Sequence, residues 1–116
     1  MNNSMRNQRL FYYCNQKEEN GRIVYTKPKK IYLNYQPIDS AGNILAIGPE
    51  YSNILIVYMR PEFGKLFHNN DRCYVFVEPP KTYDKLCNTA DYYVSDEPKR
   101  YINEYTMHLT RMTGDD

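Results

Sequence analysis

Residues 51–77 read YSNILIVYMRPEFGKLFHNNDRCYVFV, and residues 53–59 within them hold, after Asn53, the one long unbroken apolar run of the chain. Apolar residues on both faces of so short a run indicate a strand covered on both sides. A buried helix shows the same pattern, but Ile, Val and Tyr bounded by Pro61 and Gly64 favour a strand. Turn-like residues 60–64 lead to a second β-rich run, 71–77, where Arg72, Tyr74 and Phe76 alternate with Cys73, Val75 and Val77. The two runs are expected to pair as the central hairpin of a small all-β domain. None of their residues is an obvious catalyst.

Toward the N-terminus, residues 9–14 form a strand and 15–21 a polar loop ending on Gly21. Residues 22–25 pair back, so 9–26 is a hairpin or meander. Lys27, Lys29 and Lys30 surround Pro28, which cannot donate to a ladder and marks an edge or boundary. They form either a solvated turn that discourages edge pairing or a contact for phosphate or an acidic partner. In residues 31–37, Ile31, Leu33 and Tyr35 share one face and Tyr32, Asn34 and Gln36 the other, a clean strand.

Residues 38–52, IDSAGNILAIGPEYS, are the longest connection between strands. Gly42–Asn43 and Gly48–Pro49 bracket a short apolar piece containing Ile44, Leu45 and Ile47. Loops of this length are uncommon in compact domains and tend to be functional. Ile38, Asp39, Gly42, Asn43, Ile44, Leu45, Ile47 and Tyr51 are therefore candidates for contact with another chain, against a loop packed on its own domain.

Toward the C-terminus, Pro79 and Pro80 stop a strand. Residues 82–89 connect with at most one helical turn, 90–95 form a short strand and 96–98 turn. The final strand has Tyr101, Tyr105, Met107 and Leu109 on one face and Glu104, Thr106, His108 and Thr110 on the other. Seven or eight strands without a persuasive helix make an all-β fold, a small antiparallel barrel or sandwich with one long loop. The expected division is a flexible segment 1–8, one domain over 9–112 and an acidic tail 113–116.

The 116 residues hold a single core that buries roughly two-thirds of the unfolded surface. Net charge is +1, which argues against a polybasic membrane patch or a sequence-specific nucleic-acid binder. No apolar run approaches the ~20 residues of a membrane span, and residues 1–9 lack the apolar centre of a signal peptide. Cys14, Cys73 and Cys87 form no CxxC and, being odd in number, no complete disulfide framework; reduced thiols in a cytoplasmic compartment are expected. Two isolated histidines, His68 and His108, give no metal-ligand set, so no cofactor is expected. Thirteen Tyr and no Trp describe either a thin β core whose hydroxyls reach water or a stacking surface for bases or sugars.

Catalytic patterns are absent: Ser40, Ser52 and Ser95 lie at turns or strand ends outside any GxSxG. A His68–Cys73 pair is better explained by a surface His and a core Cys. Asp71, Asp84 and Asp91 suit turn capping. No enzyme is expected. A basic groove from Lys27, Lys29, Lys30, Lys99 and Arg100 with stacking tyrosines would suit a single-strand-binding barrel, the principal alternative.

The apolar strand, then Phe63-Gly64-Lys65, then Asn70-Asp71-Arg72-Cys73-Tyr74-Val75 resembles the head-closure (stopper) proteins of long-tailed double-stranded-DNA bacteriophages. The flanking order is similar as well, with residues 31–37 leading into a Gly-containing loop, then residues 90–94 and a long last strand. The Trp common in that family before the late Asp-Tyr segment is absent here, and Cys87 lies in that region. The resemblance implies a non-enzymatic virion neck protein, assembled in the host cytoplasm, whose copies form a ring between portal or adaptor and tail. It further implies a channel-facing loop at residues 38–52 that gates passing double-stranded DNA. A tail-completion role is the nearest variant.

Overall fold

The computed structural model describes residues 8–113. The expected flexible segment 1–8, apart from Gln8, and the acidic tail, apart from Thr113, lie outside the described residues. Eight strands run β1 (Arg9–Cys14), β2 (Gln16–Glu19), β3 (Arg22–Tyr25), β4 (Lys29–Ile38), β5 (Ile54–Met59), β6 (Arg72–Tyr74), β7 (Tyr92–Tyr101) and β8 (Glu104–Arg111). Six of them close an antiparallel barrel in the order β1-β4-β5-β8-β7-β6, and β2 and β3 form a separate two-stranded sheet. Among the described residues the helical content is two short 3-10 segments, Pro49–Tyr51 and Pro61–Leu66. Among the described residues no helix is long and apolar enough to cross a membrane.

The barrel follows from period-two patterning. Phe11 and Tyr13 of β1, Ile31, Leu33 and Tyr35 of β4, and Leu55, Val57 and Met59 of β5 meet inside it. Cys73, Tyr92, Val94, Met107 and Leu109 complete that core, as expected when alternate side chains of each strand point into a small barrel. Phe67 plugs one end, its ring 4.8 Å from Tyr13. Phe76 closes the other, edge-on to Tyr35 at 5.9 Å and to Tyr92 at 5.8 Å.

Residues 51–77 are not a hairpin. β5 pairs with β4 and β8, whereas β6 pairs with β1 and β7. The connection from residue 60 to 71 contains a 3-10 helix that crosses the Phe67 end of the barrel, so it carries the chain to the far wall instead of turning it back. Gly64 lies in that helix because Tyr105 packs on it: a Cβ there would stand 2.8 Å from the ring. β6 is only three residues long, because the Asp91 carboxylate captures the Val75 and Phe76 N–H groups at 2.8 and 2.9 Å.

Three further expectations change. β3 pairs with β2, not with β1, through an Asn20–Gly21 turn whose φ values of 53° and 78° suit those two residues. Lys29 and Lys30 open β4 rather than sit in a turn. Residues 96–98 are inside β7, which stays paired with β8 through register shifts on both sides of Asp96. Such bulges twist and bend a long hairpin without ending it.

A second, smaller core lies on the outer wall. Residues 78–91 climb across β1 and β6, where Cys14, Tyr25, Tyr74, Cys87 and Ala90 are buried together. The segment is fastened by Tyr25 N–H to Lys85 O at 2.7 Å and by the Tyr83 hydroxyl, which donates to Tyr25 O. All three cysteines are free and buried.

Candidate functional site

The connection at residues 38–52 has rigid feet and an exposed body. Ile38 is the last residue of β4 and only 3% exposed, so it anchors the loop and offers nothing to a partner. Asp39 builds the turn that follows: its carboxylate accepts from Ala41 N at 2.9 Å and Asn43 N at 3.0 Å. The hydrogen bonds from Asn43, with those from Ala41 and Gly42, hold this exposed carboxyl below its ordinary range. Gly42 supplies the φ of 91° that the turn needs. The Ile38–Ile44 bridge and the Leu45 N–H to Pro37 O bond at 2.9 Å then fold the loop back along β4.

Beyond that point the apolar residues face outward. Ile44 is 59% exposed, Ile47 47% and Tyr51 77%. Pro49 starts the 3-10 turn and Ser52 ends it, its N–H bonding Pro49 O at 3.1 Å.

The second foot is a polar clasp. The buried Ser52 hydroxyl donates to Ile54 O at 2.6 Å and lies 3.4 Å from Ile38 O, tying the two ends of the loop together. The Tyr92 hydroxyl donates to Ser52 O at 2.8 Å. Arg111 donates from Nη2 and Nε to the same carbonyl, from Nη2 to Glu50 O, and from Nη2 to the Tyr92 hydroxyl at 3.0 Å. Burial pushes the Tyr92 phenol up to about 12, opposed by the adjacent guanidinium. A fixed cation thus satisfies carbonyls that a 3-10 turn leaves open.

Arg111, Tyr92 and Ser52 are not marked as a site by the sequence alone. A signal exists for Arg111, which falls in the inward row of Met107 and Leu109 and puts a cation where an apolar residue is due. Asp71 carries the same kind of signal ahead of Cys73. It is 1% exposed and accepts from Gln16 N at 2.7 Å, Asn15 Nδ2 at 2.8 Å and His68 N at 2.8 Å. It joins the β1–β2 corner to the start of β6.

The five candidate cations are at the other end of the barrel from the loop. Lys29 and Lys30 begin β4, whereas the loop follows its last residue. Lys99 and Arg100 end β7, while the β7 start and the β8 end lie at the loop's Arg111 clasp. They do not form a bare groove: Lys99 pairs with Asp96 at 3.0 Å, Lys27 covers the Tyr83 ring and Lys29 the Tyr13 ring. His68 is exposed and lies 3.7 Å from Asp71, while Cys73 points into the core. Among the described residues no three His, Cys, Asp or Glu side chains gather as a metal site would require.

No family model, curated protein or solved structure matches the chain.

Proposed function

We propose that the chain is a structural subunit of a bacteriophage neck, a head-closure protein without enzymatic activity. Copies form a ring between portal or adaptor and tail-completion or tail-tube proteins in the virion, with no membrane contact. The ring seals the packaged head and gates double-stranded DNA through the loop at residues 38–52. The observation that carries this reading is mechanical. A rigid barrel holds a semi-apolar loop by both feet, with Ile44, Ile47 and Tyr51 turned outward. Loops set on rigid scaffolds are where binding surfaces concentrate. The resemblance of residues 63–65 and 70–75 to head-closure proteins supports the same reading.

The test is assembly with a portal–adaptor complex followed by electron microscopy of the product. Rings on that platform, and the chain's presence in purified virions, are the expected results. A chain that neither binds the platform nor occurs in virions refutes the proposal.

A single-strand-binding barrel is the second reading, favoured by the cation–tyrosine pairs at the Lys29 end. It requires binding to oligonucleotides that weakens steeply with salt, and no binding at low salt excludes it. The Lys99–Asp96 pair and a net charge of only +1 rank it below the first.

A further inference from the structure

Cys87 is the one buried residue between residues 81 and 89. Asp84 builds the turn around it. Its carboxylate accepts from Leu86 N at 3.0 Å and Asn88 N at 2.8 Å, and its carbonyl accepts from Cys87 N at 3.1 Å. Leu86 is left 54% exposed while the smaller Cys87 is 1% exposed. A turn anchored for apolar area alone would put the leucine inward. Cys87 also takes φ 51°, a left-handed conformation that favours Gly, Asn and Asp over cysteine. Strained positions of this kind cluster where a side chain has a task.

The side chain lands on a second thiol. Cys14, the last residue of β1, is buried in the same cluster with Tyr25, Tyr74 and Ala90. The Cys14 thiol and the Tyr74 hydroxyl both hydrogen-bond to the Cys87 sulfur. The bond from Cys14, opposed by burial and supported by the bond from Tyr74, holds the Cys87 thiol below its ordinary range. The same contact, with burial, pushes Cys14 up. Cys73 differs: it points into the barrel core, and burial raises it well above its ordinary value. The molecule thus holds one thiol that ionises readily, a neighbour that keeps its proton, and a third that is inert.

We propose that Cys14 and Cys87 are a thiol pair that hydrogen peroxide oxidises to a disulfide, fastening residues 78–91 to β1. The Cys87 thiolate attacks one peroxide oxygen. The S–O bond forms, the O–O bond breaks, and the leaving hydroxide takes up the proton lost by Cys87 to become water. Cys14 then attacks the Cys87 sulfenic acid. The S–S bond forms, the S–O bond breaks, and the Cys14 proton leaves with the hydroxide as a second water. Two thiols lose two electrons and one peroxide is reduced to two waters. Access comes from the segment itself. Residues 78–91 contain no helix or strand and are tied to β2 and β3 by the Tyr25–Lys85 and Tyr83–Tyr25 hydrogen bonds and an exposed Lys85–Glu19 pair. Such a segment opens more readily than the barrel, and the disulfide closes it. The reaction is independent of ring formation.

The test exposes the full, reduced chain to hydrogen peroxide under native conditions and maps its thiols by mass spectrometry. The expected product carries one Cys14–Cys87 crosslink and keeps Cys73 as a free thiol. It melts about 10 °C higher or more, because the crosslink closes a long loop. Amide exchange in residues 81–89 slows at the same time, and dithiothreitol restores the original thiols and melting temperature. Cys14→Ser stops at a sulfenic acid on Cys87, captured by dimedone, whereas Cys87→Ser gives neither adduct nor crosslink. A folded chain whose three thiols all survive, or that loses Cys73 as readily as Cys87, overturns the pair. So does a crosslink that joins Cys73, or one that leaves exchange in residues 81–89 unchanged. The mapping is made on the wild-type chain, so these outcomes decide the matter even where a serine variant fails to fold.

Discussion

The guanidinium of Arg111 lies 3.2 Å from the carbonyl oxygen of Ser52 through Nη2 and 3.3 Å through Nε. This one side chain couples the end of the last strand to the foot of the exposed loop. Hydrogen bonds from a charged donor are worth ~1.5–3 kcal/mol each where water is excluded, and less where the group is half-exposed as here. Arg111→Met is expected to cost about 2 kcal/mol in chemical denaturation. More specifically, amide hydrogen exchange should accelerate in residues 50–53 and stay unchanged in β1 and β6. Uniform acceleration over the barrel would show that Arg111 supports the wall and not the loop.

Alkaline pH acts through buried phenols. Burial raises Tyr13, Tyr35 and Tyr58 above the usual 10.0 and lifts Tyr92 to about 12. A group with a raised folded-state value binds its proton more tightly when folded. Its contribution is therefore fully present below about pH 10 and is lost as pH rises toward 12. Stability should be flat up to about pH 10 and fall steeply above it. Tyr92→Phe should be less stable at neutral pH, having lost its bond to Ser52, yet show a shallower alkaline fall. An equally steep fall would remove Tyr92 from the linkage.

Gly64 meets Tyr105 too closely for any side chain. The built Cβ falls 2.8 Å from one ring carbon and 3.0 Å from the next. Gly64→Ala is expected to cost about 1–3 kcal/mol by overpacking. Adding Tyr105→Leu should restore most of the loss, since both changes act at one contact. Additive losses in the double variant would place the cost of the Gly64→Ala change in the backbone.

Asp71 is a buried carboxylate that satisfies three donors, two from the distant β1–β2 corner and one from His68 three residues before it. Asp71→Ala leaves the N–H groups of Gln16 and His68 and the Asn15 amide without their acceptor. The expected loss is about 3 kcal/mol or more. Asp71→Asn keeps the volume and one acceptor and should lose less. If the alanine variant loses under about 1 kcal/mol, water has replaced the carboxylate and the corner is not held by it.

The all-β class is legible because the inward rows of β4, β5 and β8 are apolar at period two, and residues 38–52 stand out by length alone. Strand partnership is not legible in the same way. Alternation fixes which face of β5 is inside but says nothing about its neighbours, so adjacency in sequence suggests a pairing with β6 that the barrel does not make. The β2–β3 hairpin has an explicit signal in Asn20–Gly21, masked by the charged composition of residues 16–19. β7 passes through Pro98 because bulges on either side of Asp96 release that stretch from the regular ladder. At the loop, the exposed body is legible and the clasp is not. Ser52, Tyr92 and Arg111 are 59 residues apart at their extremes and meet only once the barrel closes.

The exposed side chains of the loop can be changed without touching the core. Ile44, Ile47 and Tyr51 are exposed and contribute little to the core, so replacing them with Asp, Asp and Ser should change stability by no more than about 0.5 kcal/mol each. The Asp39 turn and the Ser52 clasp lie elsewhere in the loop and stay intact. If the loop works against a neighbouring copy or against DNA in a neck channel, the triple variant should still join virions. It should yield heads that release their DNA before tail attachment, scored as nuclease-sensitive DNA in purified particles. Normal retention with the triple variant would remove the loop from gating. Failure to enter particles would instead make it an assembly contact, and the two results differ because the fold itself is unaffected.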